Sequence, residues 1–159
     1  MKVHSLEKIY LALCAVLIVL GVIAIGASVF SHGVHLVGPS GSVNAAGIAK
    51  QAPFDQLGLK QTGDGQYEMT MLGQMWQWNP IKQQEPLTVP AGSTITFKAT
   101  SSDVIHGLMV RGTNINAMII PGQITELTYT FDKPGEYLIV CHEYCGAFHQ
   151  EMYGKLVVS

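Results

Sequence analysis

The chain has 159 residues, of which 48% are hydrophobic and only 13% charged, with a mean hydropathy of +0.27 and a net charge of −2. That balance excludes a disordered chain, which lacks apolar residues, and a nucleic-acid binder, which shows a basic stripe. Three cysteines are too few for a disulfide scaffold.

The apolar excess begins near the N-terminus. Ile9 to Phe30 is a run of 22 residues without a formal charge. A helix needs about 20 such residues to cross the hydrocarbon of a bilayer, whereas a cleaved signal sequence has a shorter apolar core, so the run reads as a retained membrane anchor. Cys14 lies inside it with no lipoprotein-like surroundings and reads as a packed or lipid-facing thiol. Lys2 and Lys8 precede the run, and the next basic residue is Lys50. The positive-inside rule then predicts a cytoplasmic N-terminus, with the rest of the chain on the outer (periplasmic or extracellular) face of the plasma membrane. Seven basic and ten acidic residues lie beyond the membrane, which suits a basic soluble partner.

His32 and His35, just past the run, read as interfacial polar residues. The expected organisation is residues 1–34 as cytoplasmic N-terminus and membrane helix, 35–65 as a linker, and 66–159 as a β domain. Gly, Ser, Ala and Pro dominate residues 38–55, without a period, which motivates the linker.

From Gln66 onward short apolar stretches alternate with turn residues, the pattern of a β-sandwich or small barrel. Tyr67, Met69 and Met71 share one parity. Trp76 and Trp78 take the other, and Gly73 between them suggests a β-bulge. Strands are predicted at Thr94–Lys98, Val104–Val110, Leu127–Phe131, Tyr137–Val140 and Lys155–Val158, with turns at Pro90-Ala91-Gly92, Pro121-Gly122 and Pro134-Gly135. No phosphate loop and no Ser/His/Asp arrangement stands out.

Between the last two strands, Cys141, Cys145, His149 and Met152 place two thiols, an imidazole and a thioether within twelve residues. Three structures compete for this loop. A Cys141–Cys145 disulfide leaves His149 and Met152 unexplained, and a structural zinc site has no use for Met152. Soft thiolate and thioether donors with imidazole suit copper best. A single loop cannot close such a site, and His106, well inside the β region, is the best further ligand. His142, between two ligand cysteines, should point away and lie in solvent.

The motif Cys-x-Glu-x-Cys-Gly-x-x-His-x-x-Met over residues 141–152, with Asp103-Val104-Ile105-His106 upstream, resembles the binuclear copper (CuA) site of heme–copper oxidase subunit II. The likeness covers nearly the whole chain. It implies a mainly β, cupredoxin-like sandwich preceded by one transmembrane helix. It further implies two copper ions bridged by Cys141 and Cys145, with one of His106 and His149 on each. Met152 and the backbone carbonyl of Glu143 would be weak axial ligands. Such a subunit takes electrons from cytochrome c, or a small copper protein, and passes them to a heme of subunit I. There oxygen is reduced and protons are pumped. In two-helix relatives the carboxylate at Glu143 also touches a magnesium ion at the subunit I interface, so magnesium is a further implied cofactor. The single helix, with Gly112-Thr113-Asn114-Ile115-Asn116, is similar to the B-type oxidases. Trp76-Gln77-Trp78 stands where the family has Trp-Tyr-Trp, which implies electron input at Trp76 and Trp78. Two other functions remain open at this level. In a mononuclear blue-copper carrier Cys145 would be surplus, and a copper chaperone would favour exposed, exchangeable ligands.

Overall fold

A computed structural model describes residues 4–32 and 38–159; Lys2, His35 and the first residues of the expected linker lie outside them. The described residues form two units, a helix and a β domain.

The helix α1, Ser5–His32, extends the predicted apolar run by a turn at its start and two residues at its end. Its apolar side chains are exposed all round, as a lipid-facing helix requires. Its 28 residues reach about 42 Å at 1.5 Å per residue, beyond the ~30 Å of bilayer hydrocarbon. Among the described residues it is the one helix long and apolar enough to cross a membrane.

The β domain is a sandwich of two sheets, as the sequence leads one to expect. The strands are β1 (Pro39–Ser42), β2 (Gly58–Gly63), β3 (Gln66–Gln74), β4 (Gln77–Asn79), β5 (Leu87–Val89), β6 (Ser93–Ser101), β7 (His106–Val110), β8 (Asn116–Ile119), β9 (Gln123–Phe131), β10 (Gly135–Cys141) and β11 (Tyr153–Val158). One sheet has the order β1-β9-β6-β3-β2, with β4 beside β3, and the other runs β5-β11-β10-β7-β8. Period-two alternation builds the core. Ile95, Phe97 and Ala99 of β6 point inward with Met69 and Met71 of β3, and meet Leu108, Val110, Ile139, Leu156 and Val158 of the other sheet. On the opposite face of β6, Thr94 and Thr96 pair across the ladder with Thr130 and Thr128 through hydroxyl contacts of 2.9 Å.

Three expectations need correction. Residues 38–65 are not a free linker, because β1 pairs with β9 and β2 with β3. Between those strands Ile48 and Phe54 bury against Leu72, a small second core on the outer face of β3. This is why Met69 to Gly73 are buried on both parities. Second, the parity change near Gly73 is a chain reversal and not a bulge. β3 pairs antiparallel with β4, and the ladder ends at Gln74–Gln77, so Met75 and Trp76 are a two-residue turn. Third, the strand predicted from Val104 starts only at His106. Asp103 and Ser101 take the backbone groups at Val104 instead: Val104 N–H donates to Asp103 Oδ1 at 2.7 Å, and Ser101 Oγ donates to the Val104 carbonyl at 2.5 Å.

The fold gathers several strand ends at one end of the sandwich. Gly73 of β3 lies opposite Ser101 of β6, β7 begins at His106, and β10 ends at Cys141.

Candidate metal centre

The cysteine loop is closed at its base by the β10–β11 ladder, paired from Gly135–Val158 to Val140–Tyr153. Cys141 N–H donates to the Met152 carbonyl at 3.0 Å, so the first and last residues of the motif face each other across the mouth. A single 3-10 turn over His149–Glu151 brings the chain back, with His149 N–H donating to Gly146 and Met152 N–H to His149. Gly146 has φ of 119°, in the region that favours glycine, and a Cβ there would sit 3.0 Å from the Trp76 indole nitrogen. His106 arrives from the same sheet, since β7 pairs with β10 through Leu108–Cys141.

These elements bring the predicted donors together. Cys141 Sγ and Cys145 Sγ are free and 3.8 Å apart. Cys141 Sγ lies 3.8 Å from His106 Nδ1 and 3.3 Å from the Glu143 carbonyl oxygen. Cys145 Sγ lies 3.4 Å from His149 Nδ1 and 3.7 Å from Met152 Sδ. Five side chains and one carbonyl therefore form one connected cluster, and both imidazoles present Nδ1 to sulfur. The Nε2 of His106 is engaged elsewhere, 2.8 Å from Asp103 Oδ1, which leaves Nδ1 as the nitrogen that faces the sulfurs. His106 is fully buried, and Cys141, Cys145 and Met152 are buried with it. His149 is half-buried.

Electrostatics follow from that packing. Burial works against the Cys141 thiolate, but the His106 ring and the peptides at Gly107 and Glu143 outweigh it and hold the thiol below its usual range. Cys145 is pushed up to about 12 by burial and by the neighbouring Cys141. His106 is raised: burial opposes its charge, but Cys141 and Asp103 overcome it. Burial also opposes the charge on Asp103, yet the Met75 and Val104 amides and the His106 ring lower it. In the metal-free chain, one thiol is thus readied for deprotonation while the other keeps its proton.

The donor set fits copper. Thiols and a thioether are soft donors, and imidazole completes a set that hard cations do not choose. The burial of Met152, with its sulfur on Cys145, puts the thioether inside the set that a zinc site would leave unused.

The other site residues divide. Trp76 lies beside the loop, its ring 4.9 Å from Phe148 in an edge-to-face contact, and it is half-buried rather than fully on the surface. Trp78 is fully buried with its ring centre 5.9 Å from that of His106 in an edge-to-face arrangement, so it has no surface to offer a docking partner. The Glu143 carboxylate is 3.6 Å from His142 Nδ1. His142 does leave the sulfur cluster, but it is not in open solvent. Its ring lies over Gly107, where a Cβ would come within 2.5 Å, and its peptide N–H donates to the Gly107 carbonyl at 3.0 Å. In the sequence Asp103 stands out only as part of the motif that ends at His106. Its spacing of three residues before His106, after two serines, was the signal for a turn that folds back onto the ring.

The chain's similarity to known proteins bears on what such a site belongs to. Residues 68–158 match the family described as cytochrome C oxidase subunit II, periplasmic domain. Over 157 residues the chain is 38% identical to cytochrome c oxidase subunit 2 of Thermus thermophilus, covering 96% of this chain and 91% of that protein. A chain of a heme-copper terminal oxidase dimer superposes with a TM-score of 0.74 at 33% identity, over 96% of this chain and 99% of the other. The periplasmic domain of cytochrome oxidase subunit II from Bradyrhizobium japonicum, 22% identical with a TM-score of 0.53, covers 58% of this chain and 83% of its own length, and shares the fold.

Proposed function

This chain belongs to the cytochrome c oxidase subunit II family, a component of a heme-copper terminal oxidase, and from that premise we propose that it is the electron-input subunit of a B-type enzyme. In this reading Cys141, Cys145, His106 and His149 would hold two copper ions, with Met152 Sδ and the Glu143 carbonyl as the weaker donors. Copper bound there would supply one-electron transfer between a cytochrome c-type donor and a heme of subunit I, where oxygen reduction would drive proton pumping. The observation that carries the reading is the pair of free, buried sulfurs 3.8 Å apart, each with an imidazole Nδ1 within reach.

The chain's own part is to hold donors still. Cys141 and His106 sit on paired strands, and the 3-10 turn fixes His149 against Cys145. A donor set fixed by the fold changes little between redox states, which favours fast single-electron exchange. Protein groups fill the donor positions, so the site transfers electrons and leaves oxygen chemistry to subunit I.

Trp76 is the electron-input residue in this proposal, because its ring borders the loop and retains exposed surface. Lys8 and Lys2 keep the N-terminus in the cytoplasm and place the copper domain on the outer face. The Glu143 carboxylate, on the flank of the loop, is the group that would meet magnesium at subunit I.

The test is metal stoichiometry with a functional readout. Full-length protein in detergent, loaded with copper, should bind two ions per chain and be reduced by cytochrome c. One ion per chain, or a loaded site that no cytochrome c reduces, would overturn the reading.

A further inference from the structure

Asp103 lies in the loop between β6 and β7, and its two carboxylate oxygens face different parts of the domain. Oδ1 accepts from His106 Nε2 at 2.8 Å and from Val104 N–H at 2.7 Å. Oδ2 accepts from Met75 N–H at 2.7 Å, across 28 residues of sequence. Met75 and Trp76 are the two residues of the β3–β4 turn. One side chain therefore holds a candidate copper ligand with one oxygen and the peptide preceding the Trp76 indole with the other.

The surroundings fix that carboxylate. Ser101 Oγ accepts from Asp103 N–H at 3.2 Å and lies 3.3 Å from Oδ1. Ser102 N–H donates to the Gly73 carbonyl at 3.1 Å, which ties the same loop to the end of β3. Gly73 is where a side chain would collide, since a Cβ would stand 3.0 Å from the His106 ring and 3.2 Å from Trp78. The Asp103 side chain is 24% exposed, so water competes only partly for its oxygens. An ionised carboxylate accepts at both oxygens, whereas an amide accepts at one and would turn an N–H toward another N–H.

We propose that Asp103 is a positioning residue that clamps the Trp76 turn to His106, so that the indole and the ligand ring keep one fixed separation. The same contact holds the His106 proton on Nε2 and turns Nδ1 toward Cys141. The clamp rests on the copper reading for its purpose, but its geometry exists in the metal-free chain.

The experiment uses the full chain in detergent, with ring-labelled histidine, as wild type, Asp103→Asn and Asp103→Ala. In the metal-free protein, nitrogen NMR should show His106 protonated at Nε2, and the Met75 amide should exchange slowly. Asp103→Ala should release both, mixing the tautomers and speeding Met75 exchange by about tenfold or more, the scale of losing one charge-assisted bond. Asp103→Asn should release one of the two contacts and keep the other, and it carries the test if the alanine variant does not fold. After copper loading, both variants should show a higher reduction potential, because a ligand that loses its anionic acceptor donates less charge to the metal. Reduction by cytochrome c should slow with them. A lower melting temperature with unchanged His106 tautomer, Met75 exchange and potential would make Asp103 a loop-structure residue and overturn the clamp. Failure of the wild-type chain to take up copper would sink the copper reading alone, and the metal-free arm would still decide the clamp.

Discussion

The two imidazoles of the cluster are built by different means. His106 opens a strand, is fully buried, and has its outer nitrogen on Asp103 and its ring edge to Trp78. His149 belongs to a single 3-10 turn in a loop, is half-buried, and has as its aromatic neighbour Tyr144, which is 80% exposed. The sandwich therefore sets one donor, and a loop closed by two cysteines and a methionine sets the other. The His106 side is the anchor. The His149 side is the more exposed half of the cluster.

The comparison breaks most completely at the two sulfurs, which lie 3.8 Å apart, one beside each imidazole. Cys141→Ser or Cys145→Ser should abolish binuclear copper binding, read as metal content per chain. Two coppers retained in both variants would refute the shared-sulfur account. Loading should also release a proton from Cys145, whose thiol burial and Cys141 push up to about 12. Copper uptake should therefore weaken as pH falls and strengthen as it rises, measured by competition with a chelator across pH.

The tryptophans sharpen the same contrast at a smaller scale. Trp78→Ala empties a fully buried site and should cost about 3–5 kcal/mol in denaturant unfolding of the metal-free chain. Trp76→Ala should cost only about 1 kcal/mol, because part of its ring is already in water, yet slow reduction by cytochrome c sharply. Trp76→Phe should restore part of that rate through the contact with Phe148. Equal stability losses at the two positions would erase the distinction between core and docking face.

The ligands themselves come next. Removing the fully buried His106 ring breaks its bond to Asp103 and empties its place beside Trp78, so His106→Ala should destabilise the metal-free fold by about 1–3 kcal/mol. His149→Ala should stay within about 0.5 kcal/mol. Thermal melts of both variants without metal check the order, and a reversal would mean that the loop and not the sheet is the anchor. The mildest change is Met152→Leu, which preserves volume and should retain copper while altering the reduction potential, since a weak axial donor tunes more than it holds. Complete metal loss would count against the axial role.

Much of this contrast was legible in the chain itself. The spacing of Cys141, Cys145, His149 and Met152 survives as a loop because β10 and β11 bring its ends together, a local arrangement that sequence order reveals. The lipid-facing helix was legible for the same reason, as one unbroken apolar run. What sequence order hides is pairing between distant segments. β1 and β2 attach through backbone bonds in stretches rich in Gly and Ser, where side chains carry no period, and the Ile48–Phe54–Leu72 core joins residues without a shared pattern. The two-residue reversal at Met75–Trp76 has the same parity signature as a bulge, and only the ladder between β3 and β4 separates them. The reach of Asp103 to Met75 spans 28 positions and follows from that reversal.

The most direct measurement is the EPR spectrum of the oxidised, copper-loaded full chain. One unpaired electron divided between two like copper nuclei gives a closely spaced seven-line hyperfine pattern, and this is the result the account predicts. A widely spaced four-line pattern, from an electron on a single copper, would contradict it.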